Sequence, residues 1–88
     1  ITKSNIESGL GRYDFLIEPK NKSKRAFIME FKSTDSVEKL EEVSKEALKQ
    51  IEDKKYDISL KQNGINEITY IGIAFCGKQI KISYKEKS

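Results

Sequence analysis

The chain reads as an α/β (α+β) protein, a mixed sheet of about four strands with one long helix on one face. Three observations predict this. Short β-type runs are bounded by turn signals at Pro19–Lys24, Asn63-Gly64 and Cys76-Gly77. Ahead of the last two runs, Val37, Leu40, Val43, Ala47, Leu48 and Ile51 recur at helical spacing. At 88 residues and 36% hydrophobic content, the chain suffices for one small domain with a modest core.

The elements follow in order. Residues Ile1 to Arg12 hold Ser4, Asn5, Ser8, Gly9 and Gly11. They read as an extended lead-in and a turn, with a further short strand around Lys3 to Glu7 as an optional addition. Tyr13 to Glu18 form the first core strand, with Tyr13, Phe15 and Ile17 on one face and Asp14, Leu16 and Glu18 on the other. Pro19 ends it, having no N–H to donate to a ladder. Pro19 to Lys24 is a polar connection of hairpin length. Arg25 to Lys32 is the second strand, antiparallel to the first, and Phe27, Met29 and Phe31 read as core.

Asp35 with Glu38 three residues later makes a capping-box-like start, Asp35 accepting from the first-turn amides. The helix should run from about Ser36 to Lys54 or Lys55, its other face filled by Glu, Lys and Gln. Tyr56 to Asn66 reads as a connector. Glu67 to Phe75 is an apolar strand buried on both faces, where Gly72 leaves room for a close neighbour. Lys78 to Tyr84 returns as a hairpin partner. Ile80, Ile82 and Tyr84 are expected inward and Gln79, Lys81 and Ser83 outward.

Composition removes several chemistries. One cysteine, Cys76, allows no intramolecular disulfide and no cysteine-based zinc site. The absence of histidine removes imidazole acid/base catalysis, Ser-His-Asp triads and imidazole ligands. A metal would need oxygen ligands, which favours Mg²⁺, Mn²⁺ or Ca²⁺. Net charge is +3 with 35% charged residues, compatible with a polyanion partner. No apolar run approaches the roughly 18 residues of a membrane span, and no signal peptide is visible, so a cytoplasmic location is expected. Residues 1–88 read as a single domain, and a start at Ile1 without Met reads as a piece of a longer chain.

One strand carries an unexplained cost. Glu30 and Lys32 lie two apart near the end of an apolar run, so they leave the same face. Charges there are unfavourable unless paired or coordinated. The midpoint between Asp14 and Glu30 is position 22, inside the proposed turn, so hairpin register sets the two in direct opposition. Two close carboxylates repel unless a cation neutralises them, and hard divalent ions take such oxygens. The same residues also read as an edge-strand Asp and a surface ion pair worth under about 1 kcal/mol. Lys20, Lys22, Lys24 and Arg25 form a basic run that reads either as a nucleic-acid backbone contact or as a solvated turn, and Arg12 either binds a carboxylate or contacts phosphate.

Asp14 followed by Glu30-Phe31-Lys32 resembles the D…(D/E)xK signature of the PD-(D/E)XK nuclease superfamily. The wider text carries the likeness further: Glu7-Ser8-Gly9-Leu10-Gly11-Arg12-Tyr13-Asp14, Ile28-Met29-Glu30-Phe31-Lys32, Ala47-Leu48-Lys49-Gln50-Ile51 and Gly72-Ile73-Ala74-Phe75-Cys76-Gly77-Lys78. It resembles the domain of that superfamily found at the C-terminal end of bacterial predicted AAA-ATPase-like proteins, over nearly the whole chain.

The resemblance implies a restriction-endonuclease-like core of α-β-β-β-α-β order whose first core helix, often the donor of a Glu, is absent from this chain. It implies hydrolysis of phosphodiester bonds in DNA with Mg²⁺ (or Mn²⁺). Asp14, Glu30 and the Phe31 backbone carbonyl would be the metal ligands. Lys32 would hold the attacking water and steady charge developing on phosphorus. Two neighbouring carboxylates favour its charged form, so its role is electrostatic. Gln50 resembles the helix glutamine that braces such sites. The related pattern has a Tyr four residues later, where this chain has Lys54. Nucleic-acid contacts would fall on Arg12, Lys24 and Arg25. The implied partners are DNA and an N-terminal ATPase-like module in the same chain, and a homodimer that pairs two chains to cut two strands stays open. The alternatives are a domain that binds nucleic acid or regulates an attached ATPase without cleaving, and a small interaction module with incidental charges.

Overall fold

The computed structural model describes residues 2–7, 12–21 and 23–87, with side chains from Phe15 onward. The expected turn through Ser8, Gly9 and Gly11 lies outside the described residues, as do the side chains of Arg12 and Asp14. The elements are β1 (Thr2–Glu7), β2 (Arg12–Glu18), β3 (Ala26–Ser33), a 3₁₀ turn (Val37–Lys39), α1 (Leu40–Asp53), α2 (Tyr56–Gln62), β4 (Ile68–Cys76) and β5 (Gln79–Lys87). The strands form one mixed sheet in sequence order. Neighbours are antiparallel except β3 and β4, which are parallel and joined by the helical crossover. The optional strand near Lys3–Glu7 is therefore present as β1 and widens the sheet to five.

The β2–β3 turn is built by Asn21. Its side-chain oxygen accepts from the Ser23 amide at 3.0 Å and its carbonyl from the Lys24 amide at 3.0 Å. α1 and α2 cover one sheet face. The larger core cluster joins Ile28 of β3, Ile51 of α1, Leu60 of α2, and Ile68 and Tyr70 of β4. The helix approaches the sheet very closely at Gly72. A methyl group there would overlap the Ser44 carbonyl oxygen and the Leu48 backbone. Ser44 and Ala47, both fully buried, are the small residues that allow this approach. Ser44 and Ser83 share a hydrogen bond of 2.7 Å between their hydroxyls, which ties α1 to β5.

Several expectations change. β5 presents the opposite face from the one expected. Ile80, Ile82 and Tyr84 are 63%, 54% and 68% exposed, while Ser83 faces α1. The physical reason is the close approach of α1: Ser83, the register partner of Gly72, fits against Ser44 where Ile or Tyr would not, and the lysines on the same face meet acids of the helices. Lys81 reaches Glu41 at 3.8 Å, Lys85 reaches Glu52 at 3.1 Å, and Lys87 reaches Asp57 at 3.1 Å. Phe27, Met29 and Phe31 lie on the other sheet face, half-buried or exposed, and not in the core under the helices. Tyr56 to Asn66 is not a plain connector, because Tyr56–Gln62 is helical and buries Leu60. Lys55 makes the bend between the helices in left-handed conformation, φ +59°. Asp35 does not cap α1, which starts later, at Leu40, after the 3₁₀ turn. Ser36 opens that turn, and its hydroxyl donates to Glu38 at 3.0 Å. No helix among the described residues is long and apolar enough to cross a membrane.

Beneath α2, Tyr70 and Asp57 form a polar point in the core. Burial, the charges of Asp57 and Glu52, and its hydrogen bond with Asp57 push the Tyr70 hydroxyl up to about 12. Burial alone would raise the Asp57 carboxyl. The Lys87 hydrogen bond and charge, a backbone hydrogen bond and Lys61 together hold it below its ordinary 3.8. A depressed folded value means that this stabilisation is present above the unfolded value and is lost as pH falls through the folded one. Urea unfolding as a function of pH should therefore show a shallower loss of stability below about pH 4 in Asp57→Asn than in the wild type. The Gly72 contact makes a second prediction. Gly72→Ala pushes against backbone that cannot swing aside and should destabilise the fold by about 1–3 kcal/mol in the same assay.

Candidate active site

The site is set by β2, β3 and α1. Asp14 and Glu30 are direct partners in the β2–β3 register, as the hairpin midpoint implied. Directly opposed positions in an antiparallel pair lie about 4.5–5.5 Å apart at Cα. Arg12 is likewise opposite Lys32. On the other side of β3, Glu30 is partnered by Gly72 of β4, so the helix backbone comes down beside it.

Glu30 is 0% exposed, and its Oε1 accepts from Lys54 Nζ at 3.1 Å. A carboxylate this deep is held by cationic donors, because an unpaired one pays the full desolvation penalty. Lys32, two residues along the same strand, donates from Nζ to Glu46 Oε1 at 3.1 Å, and its side chain is 23% exposed. Gln50 on α1 contributes an amide whose Oε1 is buried and has no hydrogen-bond partner among the described residues. Buried acceptors of this kind are rare in native proteins.

Glu46 and Gln50 of α1 and Lys54, its C-cap, lie over this part of the sheet. Gln50 was expected. Glu46 and Lys54 hold Lys32 and Glu30 directly. Their spacing was the available signal: Glu46, Gln50 and Lys54 are successive i, i+4 positions on one helical row.

The other expected residues are placed as follows. Phe31 lies between Glu30 and Lys32 on β3, its side chain half-buried. Lys24 is exposed in the β2–β3 turn. Arg25 stands at the start of β3, five residues and about 17 Å of extended strand from Glu30. Its guanidinium donates to Glu67 Oε2 at 3.0 Å, to the Ile68 carbonyl at 3.2 Å and to Thr69 Oγ1 at 3.3 Å. Arg25 thus clamps β3 to the start of β4.

The donor set suits a hard cation. Among the described residues no group of three or more Asp, Glu, Cys or His clusters together. Glu30 offers buried carboxylate oxygen, Asp14 is its register partner, and Gln50 Oε1 is a buried acceptor. All are oxygens, the ligands that Mg²⁺ and Mn²⁺ take. These are the oxygens that would hold such an ion, and Lys32 stands two residues along the same strand.

Comparison with known proteins gives the family. The family model of the PD-(D/E)XK nuclease superfamily matches residues 1–85. No curated protein and no solved structure matches the chain significantly. The family match takes in every described element except the last two residues of β5, Glu86 and Lys87, and on it the chain belongs to the PD-(D/E)XK nuclease superfamily.

Proposed function

We propose that this nuclease-superfamily domain hydrolyses phosphodiester bonds in DNA and that it does so with Mg²⁺ or Mn²⁺. The observation that carries the reading is the fully buried Glu30, opposite Asp14 in register, with Lys32 two residues along the same strand. Asp14, Glu30 and the Phe31 backbone carbonyl would hold the metal. When bound, it supplies Lewis-acid charge to the phosphate and makes a water more acidic.

The chain's own residues do the rest. Lys32 presents a compact ammonium to the phosphate oxygens, where negative charge grows as water attacks phosphorus and the ester P–O bond breaks. Glu46 fixes where that ammonium sits, at 3.1 Å from its Oε1. Gln50 Oε1 accepts a hydrogen bond from the attacking water and so orients it. Arg12, opposite Lys32 in register, and Lys24 in the exposed turn are the phosphate contacts that track the strand. Arg25 supports the same surface by anchoring β3. The reading includes a cytoplasmic setting, in keeping with the lone cysteine, one domain over residues 1–88, and an ATPase-like module elsewhere in the same protein.

Plasmid cleavage tests this. Mg²⁺ or Mn²⁺ should support nicking or linearisation, and a chelator should stop it. Asp14→Ala, Glu30→Gln and Lys32→Ala should each lower the rate by on the order of 10²-fold or more. DNA retained without cleavage in either metal would instead mark a non-cleaving binding or regulatory domain. Unchanged cleavage by Asp14→Ala and Lys32→Ala would move the site elsewhere.

A further inference from the structure

We infer that Lys54 is a resident counter-cation of this site, seated on the buried Glu30 carboxylate until a divalent metal displaces it. The inference rests on the metal reading proposed above. Among the described residues, Lys32 stands on Glu46 and Lys54 on Glu30, each at 3.1 Å. The environments differ. Glu46 is half-exposed, so its ion pair competes with water. Glu30 is 0% exposed, so a cation must stand beside it for the carboxylate to persist in the folded chain.

Lys54 is suited to a replaceable role. It is the C-cap of α1, immediately before the left-handed Lys55, so its long stem leaves from a helix end. Its side chain is 27% exposed, which gives the ammonium a route to solvent without opening the core. A divalent ion on the same oxygen would stand against the ammonium at close range in a low-dielectric setting, and the two repel. Metal then binds only the fraction of molecules in which Lys54 has swung away, and apparent affinity falls by that fraction. The exchange keeps Glu30 neutralised in the metal-free chain and makes metal loading a swap of one cation for another.

Mn²⁺ binding to the full chain, measured by calorimetry, and thermal unfolding with and without Mn²⁺ test this. Lys54→Met should bind Mn²⁺ about tenfold tighter than wild type, the gain expected where Lys54 leaves Glu30 free in about one molecule in ten. Its melting temperature should be lower without metal and rise more on Mn²⁺ addition, whereas Lys54→Arg should stay close to wild type. A second measurement uses the unaltered protein, in case Lys54→Met does not fold. Acylation of the Lys54 amine, followed by peptide mass spectrometry, should speed up when Mn²⁺ is added, while the exposed Lys45 serves as an unchanged reference. Equal Mn²⁺ affinity in wild type and Lys54→Met, or a Lys54 acylation rate indifferent to bound Mn²⁺, overturns the inference and leaves the metal site standing. No Mn²⁺ binding by either protein overturns the metal reading and the Lys54 inference together.

Discussion

The close approach of α1 to β4 at Gly72 is the constraint on which the rest depends. No side chain separates helix from sheet there, and an added methyl would overlap the Ser44 carbonyl oxygen and the Leu48 backbone. Because Gly72 is the register partner of Glu30, this contact brings the helix down beside the charged part of β3. The next turns of α1 then carry Glu46, Gln50 and Lys54 over the strand. A bulkier residue at 72 would lift the helix, and the ion pairs at 3.1 Å would lengthen with it. Packing at a residue with no chemistry of its own thus sets the distances within the site.

Electrostatics at Glu30 runs against the usual economy of a small core. A buried carboxylate left without its cation costs about 3–5 kcal/mol, a large share of the stability of a domain this size. An apolar residue would pack there at no such risk. Its presence, together with the buried Gln50 acceptor, marks a place where local stability yields to chemistry. The ion pairs from β5 to Glu41, Glu52 and Asp57 have a different character. They hold an outer strand against the helices, Glu41 and Glu52 from solvent-facing positions and Asp57 from a mostly buried one.

Much of this was legible in the residues. Alternation and turn chemistry place the four core strands, and the midpoint of Asp14 and Glu30 gives their register. What alternation cannot supply is which face a helix will cover. On β5 the period is as read, but Ile80, Ile82 and Tyr84 point away from the helices because Ser83 fits against the close approach of α1, and Lys81, Lys85 and Lys87 meet acids on α1 and α2. Asp35 looked like a cap, but capping depends on where the first α-turn starts, and a 3₁₀ turn intervenes. α2 is two turns long, and its apolar contribution rests chiefly on Tyr56 and Leu60, too short a pattern to declare itself. Glu46 and Lys54 look like ordinary solvated helix residues until α1 is laid over β3, so their partners are a tertiary fact.

On the proposed function, the carboxylates of Asp14 and Glu30 jointly hold a divalent ion. Anomalous diffraction from crystals of the chain soaked in Mn²⁺ tests it most directly. A peak is expected at about 2.0–2.2 Å from a carboxylate oxygen of each residue and from the Phe31 carbonyl oxygen. A Mn²⁺ peak bound elsewhere, with Glu30 still paired only within the protein, would contradict it.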